Sequence, residues 1–289
     1  MTDSFDIVAI EELEPAHVVA VINEAFGRRE SLDWYRWKHR EGPWGPSIGV
    51  AAVDQGGAIG VRLLLPWRFQ IGDDTLLAHR ATEAATIPRA RGRGVFSALN
   101  RWMMEQVSTA LIFSTPNMQS RTGYLKLGWR VIANVPQRWE LPSRAGKNAL
   151  AVSTDERLHT AWDARSLRWR SDPRCRHDYM VSTTDDSADA AAYYRLLTIH
   201  GVRVVAPLGL TGPPQHLPEL WNEMLDRTQA RLLLRPATHL TPTNTSRLGW
   251  RRGKSLVIGW TPSDGVLTTR RPQALDSVPW SAADLEGVM

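Results

Sequence analysis

Apolar and polar positions change rhythm several times along the first half of the chain, and each change predicts a different element. In FDIVAI, residues 5–10, apolar side chains alternate with others at the period of a strand; from Glu14 to Phe26 they recur at the period of a helix. Ser31 stands as a cap before the helical stretch SLDWYRWKHR. SIGVAAV and AIGVRLLLPWRFQIG read as strands split by DQGG, which has hairpin turn chemistry, and TLLAHRATEAATIP reads as a longer strand stopped by Pro88. A Gly/Arg loop leads into a helix from Val95 to Val107, and ALIFSTP returns as a strand. NMQSRTGYLKLG is a helix closed by Gly128, followed by the strand WRVIANVPQRWEL. The predicted order is strand, two helices, three strands, helix, strand, helix, strand.

The second half repeats this in outline. Helical residues ending in SLRWRSDP precede strands HDYMVST, AYYRLLTIHG and VRVVAPLGL, the helix LPELWNEMLDR, the strand ARLLLRP and the run LGWRRGKSLVIGW. Pro88 and Pro207, Trp102 and Trp221, Pro116 and Pro236, and the tetrapeptide Leu-Gly-Trp-Arg at Leu127 and again at Leu248 all keep a spacing of about 120 residues, the mark of an internal duplication. WKHREGP around Trp37 has a looser echo in WRSDP around Trp169. Turn-rich PSRAGKN lies between the halves, so the expected domains are 1–145 and 146–289. In both copies Leu-Gly-Trp is expected to be structural, the glycine ending a helix in the left-handed region and its apolar neighbours anchoring the next strand.

Two units fit a length of 289 residues, enough for two buried cores. Hydrophobic residues at 43% and charged residues at 22% are ordinary for a soluble globular protein. No stretch approaches bilayer-spanning length, and MTDSFDIVAIEELEP has neither the basic start nor the apolar core of a signal, so a cytoplasmic location without a membrane partner is expected. Cys175, the single cysteine, excludes an internal disulfide and a cysteine-based metal cluster, and no metal is expected. The net charge of +5 rests on arginine, because Lys38, Lys126, Lys147 and Lys254 are the only lysines among 35 basic residues. Arginine's planar fork suits phosphate and carboxylate ligands, but a charge this modest, spread along the chain, makes no case for nucleic acid.

TIPRARGRGVFSAL carries the chemistry. It sets Arg91, Gly92, Arg93 and Gly94 between the end of a strand and the start of a helix. Glycines allow a turn tight enough for backbone N–H groups to converge, and the helix start adds unpaired donors and the positive end of its dipole. Together they form a nest for an anion such as pyrophosphate. The stretch is not a Walker loop, since no Gly-Lys-Ser/Thr follows, nor the dinucleotide fingerprint, which needs a third glycine.

With Asn117, Ser120, Tyr124 and the KLGW that follows, this stretch resembles the GCN5-related N-acetyltransferase (GNAT) family. In that family the loop reads Arg/Gln-x-x-Gly-x-Gly/Ala and a later helix reads Asn-x-x-Ala/Ser-x-x-x-Tyr before Leu-Gly-Phe. Arg91 and Gly94 match the loop, Phe96 stands where glycine or alanine is usual, and Trp129 replaces phenylalanine. The resemblance covers residues 5–141, and beyond them it holds only through the repeat. It implies an α/β (α+β) fold of two tandem GNAT-like domains, each a mixed twisted sheet flanked by helices, and acetyl transfer from acetyl-CoA to the primary amine of a small molecule. It further implies that Arg91, Gly92, Arg93, Gly94, Val95 and Phe96 hold the pyrophosphate and that Asn117 and Ser120 belong to the cofactor site. Ala85, Thr86 and Ile87 would pair by backbone with the pantetheine arm. Tyr124 would be the general acid toward the leaving thiolate, and Glu83 the general base, directly or through a water.

His79 shares the strand parity of Glu83 and is expected in the same cleft, while Trp34, Trp37, Trp44 and Trp67 serve either the core or an aromatic wall for the acceptor. In the second copy Leu210, Thr211, Gly212 and Pro213 fall on the loop and Thr245 on Tyr124, so one CoA per chain is expected: proline has no N–H to donate. Two other functions stay open. An aminoacyl-tRNA-dependent transferase also uses tandem domains of this fold but generally lacks the loop, and a noncatalytic acyl-CoA-binding protein would keep the loop and dispense with Tyr124.

Overall fold

The computed structural model describes residues 4–107, 111–146, 159–175, 179–184, 187–236 and 247–261, which form two compact units. In the first, β1 (Asp6–Ala9) leads through a 3-10 turn to α1 (Pro15–Phe26), which starts on a proline, where no N–H is needed, and ends at Gly27 with φ 63°. In α2 (Leu32–His39) the Ser31 hydroxyl accepts the Trp34 N–H at 3.1 Å, a side-chain cap. β2 (Ile48–Asp54) pairs antiparallel with β1 and with β3 (Gly57–Ile71), and β4 (Asp74–Thr86) follows on the far side of β3. The chain then makes α3 (Val95–Gln106), β5 (Leu111–Ser114) parallel to β4, α4 (Met118–Lys126) and β6 (Arg130–Glu140). Residues 258–260, from the end of the described chain, run antiparallel to β5. Gly60 lets α3 reach the sheet: a Cβ there would lie 2.6 Å from Val95 Cγ1 and 3.1 Å from the Ala85 carbonyl oxygen.

The second unit contains β7 (His159–Thr160), which pairs with residues 69–70, then α5 (Ala164–Arg170), capped by Asp163, and the antiparallel strands β8 (Tyr179–Thr184), β9 (Ser187–Ile199) and β10 (Val202–Thr211). α6 (Leu217–Thr228) returns the chain to β11 (Leu232–Pro236), parallel to β10, and β12 (Arg247–Trp260) ends it. Alternate residues of β9 feed two cores. Ala192 and Tyr194 pack with Trp221 and Met224 of α6, whereas Ala191 and Tyr193 pack with Leu167 of α5. Helix, antiparallel strands, 3-10 turn, helix and parallel strand thus recur in both units, with Trp37 and Trp169 buried in α2 and α5.

Two expectations are corrected. The units do not divide at 145/146: one takes in Phe69–Thr75 and Ala133–Leu256, the other Met1–Arg68, Leu76–Ile132 and the described residues from Val257 onward. The reason lies in the strand edges. Residues 137–140 of β6 pair with β11, and Ile258–Trp260 of β12 pair with β5, so backbone hydrogen bonding rather than the turn-rich segment decides membership. Secondly, Gly128 does end α4 with φ 85°, but Gly249 of the second Leu-Gly-Trp-Arg lies inside β12. The same four residues cap a helix in one place and extend a strand in the other. Thr245 lies outside the described residues.

Candidate active site

The Gly/Arg loop is held by the arginines that surround it. Asp54, at the end of β2, accepts a bidentate pair of hydrogen bonds from Arg89 at 2.9 and 3.3 Å and a third from Arg93 at 3.0 Å, while the Gly56 N–H donates to the same carboxylate at 3.0 Å. The hydrogen bonds of Arg89 and Arg93 hold the Asp54 carboxyl far below the usual carboxylate range. Arg91 folds back, donating to the Thr86 carbonyl at 3.4 Å and the Ala25 carbonyl at 2.8 Å. Gly92 and Gly94 take φ values of 84° and 82°, with nothing within 4 Å of where a Cβ would stand. Gly94 is the N-cap of α3, so the first N–H groups of that helix remain available beside an open backbone surface.

Phe96 explains its own departure from a small residue. Its ring lies where a Gly123 side chain would be, 2.7 Å from an ideal Cβ, so a bulky residue in the loop is matched by a missing one in α4. Next to it Tyr124 is 3% exposed, edge-on to Phe96 at 5.3 Å and tilted against Trp129 at 4.6 Å. The Arg62 guanidinium lies over the Tyr124 ring at 5.3 Å.

Between these parts β4 leaves β5. Their parallel pairing covers Ala78, His79 and Arg80 and goes no further, and three residues on Glu83 takes φ 40°, outside the usual range for a side-chain-bearing residue. Ala85, Thr86 and Ile87 therefore follow on a strand with one edge released from β5. Glu83 itself is buried. It forms an ion pair with the fully buried Lys38, and His39 Nε2 stands 3.9 Å from the same oxygen. Burial pushes the Lys38 ammonium down, against the pull of Glu83. Burial, reinforced by the charge of Lys38, takes His39 well below the ordinary histidine value and leaves it neutral, with Nδ1 2.9 Å from the Ser47 hydroxyl.

Residues 6–132 match the family model described as the acetyltransferase (GNAT) domain. This part of the chain is a GNAT domain. Solved structures share the fold at low identity. A probable N-acyltransferase of Enterococcus faecalis V583 is 10% identical over 90% of this chain and 72% of its own, with a TM-score of 0.62. A GCN5-related N-acetyltransferase of Kribbella flavida is 14% identical over 89% and 71%, with a TM-score of 0.60. Eis1 of Mycobacterium abscessus is 15% identical over 88% and 73%, with a TM-score of 0.55. No curated protein matches the sequence significantly.

Seen within the GNAT domain, the anticipated residues divide. Loop residues Arg91 to Phe96, the strand residues Ala85 to Ile87 and Tyr124 border one region, and Arg62 joins them along a tightly packed crevice, with no room for a water, lined also by Ala85, Thr86, Phe96 and Asn100. Asn117 and Ser120 are engaged in capping α4: the Asn117 side chain accepts the Ser120 N–H at 2.8 Å. His79 does not join Glu83. Its side chain makes no hydrogen bond, ion pair or ring contact among the described residues, and burial alone lowers its pKa. The irregular backbone at Glu83 interrupts the alternation on which that expectation rested, and the positive charges that act on Lys38 are those of Arg28 and Arg80. Trp34, Trp37 and Trp67 are core residues at 3% exposure or less, and only Trp44 of the four is half-buried, edge-on to Trp67 at 5.0 Å. An aromatic acceptor wall built from all four is thereby excluded.

Sequence reasoning missed Lys38, His39, Arg62, Asp54 and Gly123. Arg62 did leave a signal, a lone charge inside the apolar run GVRLLLPW. Among the described residues no cluster of three or more histidine, cysteine, aspartate or glutamate side chains could hold a metal, and no helix is long and apolar enough to cross a membrane. In the second unit, a Cβ at Gly212 would lie 2.6 Å from the Ala190 Cα, and Pro213, Pro214 and Pro218 remove donors around the start of α6.

Proposed function

We propose that the chain is an acyl-CoA-dependent N-acyltransferase that moves an acetyl group from acetyl-CoA to the primary amine of a small molecule. The observation that carries this reading is the joining of three parts: available N–H groups at the Gly94 start of α3, a β4 edge released after Arg80, and Tyr124 against Phe96. The loop and the start of α3 offer donors and dipole to a pyrophosphate. The released edge offers backbone groups to the amides of a pantetheine arm, as a strand is added to a sheet. Alignment of the two reactants supplies most of the acceleration, on the order of 7 to 11 kcal/mol in favourable cases. Tyr124 donates a hydrogen bond to the departing sulfur, and Glu83 receives the amine proton directly or through a water.

The second unit acts as a degenerate copy, since its loop position is filled by Gly212 and three nearby prolines. Calorimetric titration of the full chain with acetyl-CoA, followed by thiol release over a panel of amines, tests the proposal. One site per chain and amine-dependent thiol release are expected. Binding without release over the panel would favour a noncatalytic acyl-CoA-binding protein, and two sites per chain would overturn the reading of the second unit.

A further inference from the structure

Arg62 is 1% exposed in the middle of β3. One nitrogen, Nη1, donates to the Thr82 carbonyl at 3.1 Å, but Nε and Nη2 are buried and meet no hydrogen-bond acceptor, and no carboxylate pairs with the side chain among the described residues. A guanidinium removed from water without a counter-charge is costly. The strand has no need of it, because β3 pairs through its backbone. A group of this kind fits a place where an anion arrives.

The position along the cleft narrows the choice of anion. Arg91 is bonded to the Thr86 carbonyl at the loop end of β4, whereas Arg62 is bonded to the Thr82 carbonyl, before the irregular backbone at Glu83. Arg62 lines a crevice with Ala85, Thr86 and Phe96, and its guanidinium lies over the ring of Tyr124, the residue assigned to the departing sulfur. We infer that Arg62 is the counter-charge for the coenzyme sulfur anion released in the transfer, an inference that rests on the acyl-CoA reading above. As the amine nitrogen bonds to the thioester carbonyl carbon, the C–S bond breaks and its electron pair stays on sulfur. The amine proton passes to Glu83. Arg62 then holds the sulfur as a thiolate until it is protonated by the Tyr124 hydroxyl or from solvent.

The test compares the binding of CoA, desulfo-CoA and acetyl-CoA to the full chain between roughly pH 6 and pH 9, a span that approaches and passes the ordinary thiol value of about 8.5. In the wild type, preference for CoA over desulfo-CoA is expected to rise at least tenfold across that range, because only CoA can present a thiolate. Arg62→Gln should abolish the rise, Arg62→Lys should retain part of it, and acetyl-CoA affinity, which involves no titrating sulfur, should change less than threefold in either. An equal rise in Arg62→Gln overturns the assignment. If Arg62→Gln does not fold, the wild type still decides: a preference that stays flat with pH sinks the inference while leaving the donor reading intact. Failure to bind all three ligands removes both.

Discussion

Lys38 and Glu83 are 45 positions apart in the chain and meet where almost no water reaches either. A buried pair of this kind gives little net stability against an apolar pair of the same size, but removing one member strands the other. Lys38→Met is therefore expected to destabilise the protein by about 3–5 kcal/mol, the range for breaking a buried ion pair, and Lys38→Met combined with Glu83→Gln to recover a large part of that loss. Urea unfolding of the two variants measures it. If the double variant is no more stable than the single one, the cost comes from packing around Trp34, over whose ring the Lys38 ammonium sits at 4.9 Å, and not from an uncompensated carboxylate. His39 sharpens the point. Its neutrality comes from the same burial, so the Lys38 ammonium is the cation within reach of Glu83, and protonating His39 would add a second charge to a site with one carboxylate.

At the scale of an element, α3 depends on how it begins. Gly94 carries φ 82°, a conformation that side-chain-bearing residues rarely adopt, and proline, with φ near −65° and no N–H, is the least compatible replacement. Gly94→Pro should lower the affinity for CoA at least tenfold, about 1.4 kcal/mol. Calorimetry on a variant with a cooperative thermal transition reads this directly, and unchanged affinity would take the loop out of the donor site. Gly60 and Gly123 set the neighbouring surfaces in another way. Each admits a large partner by having no side chain, Val95 and Leu99 in the first case and Phe96 in the second, so the position of α3 is written partly in residues outside it.

For the molecule as a whole, the exchange of strand ends matters most. A fragment of residues 1–145 lacks Ile258–Trp260, which line the β5 edge, and leaves residues 137–140 without β11. It should show no cooperative unfolding transition by circular dichroism, and coexpression with residues 146–289 should restore one. A fragment that melts cooperatively at the temperature of the intact chain would show that the exchanged strands are dispensable.

Periodicity, capping residues and turn chemistry are properties of a few consecutive residues, and these the sequence determined by itself. The pattern of strands and helices, Ser31 as a cap, Gly128 as a helix end, and a Gly/Arg loop opening α3 all follow from local rules. The GNAT resemblance was legible for the same reason, because its motif lies in two short stretches. Only the tertiary structure decided what depends on distance and register. Arg89 and Arg93 find Asp54 at sequence separations of 35 and 39, and Lys38 finds Glu83 across two strands. The single positive φ at Glu83 changes which side chains share a face, and no alternation of apolar and polar letters announces it. Arg62 shows the limit most plainly: the sequence reveals a charge in an apolar strand, but its burial, its single carbonyl partner and its place over Tyr124 are set by the packing of β3, β4 and α4, which no local pattern encodes.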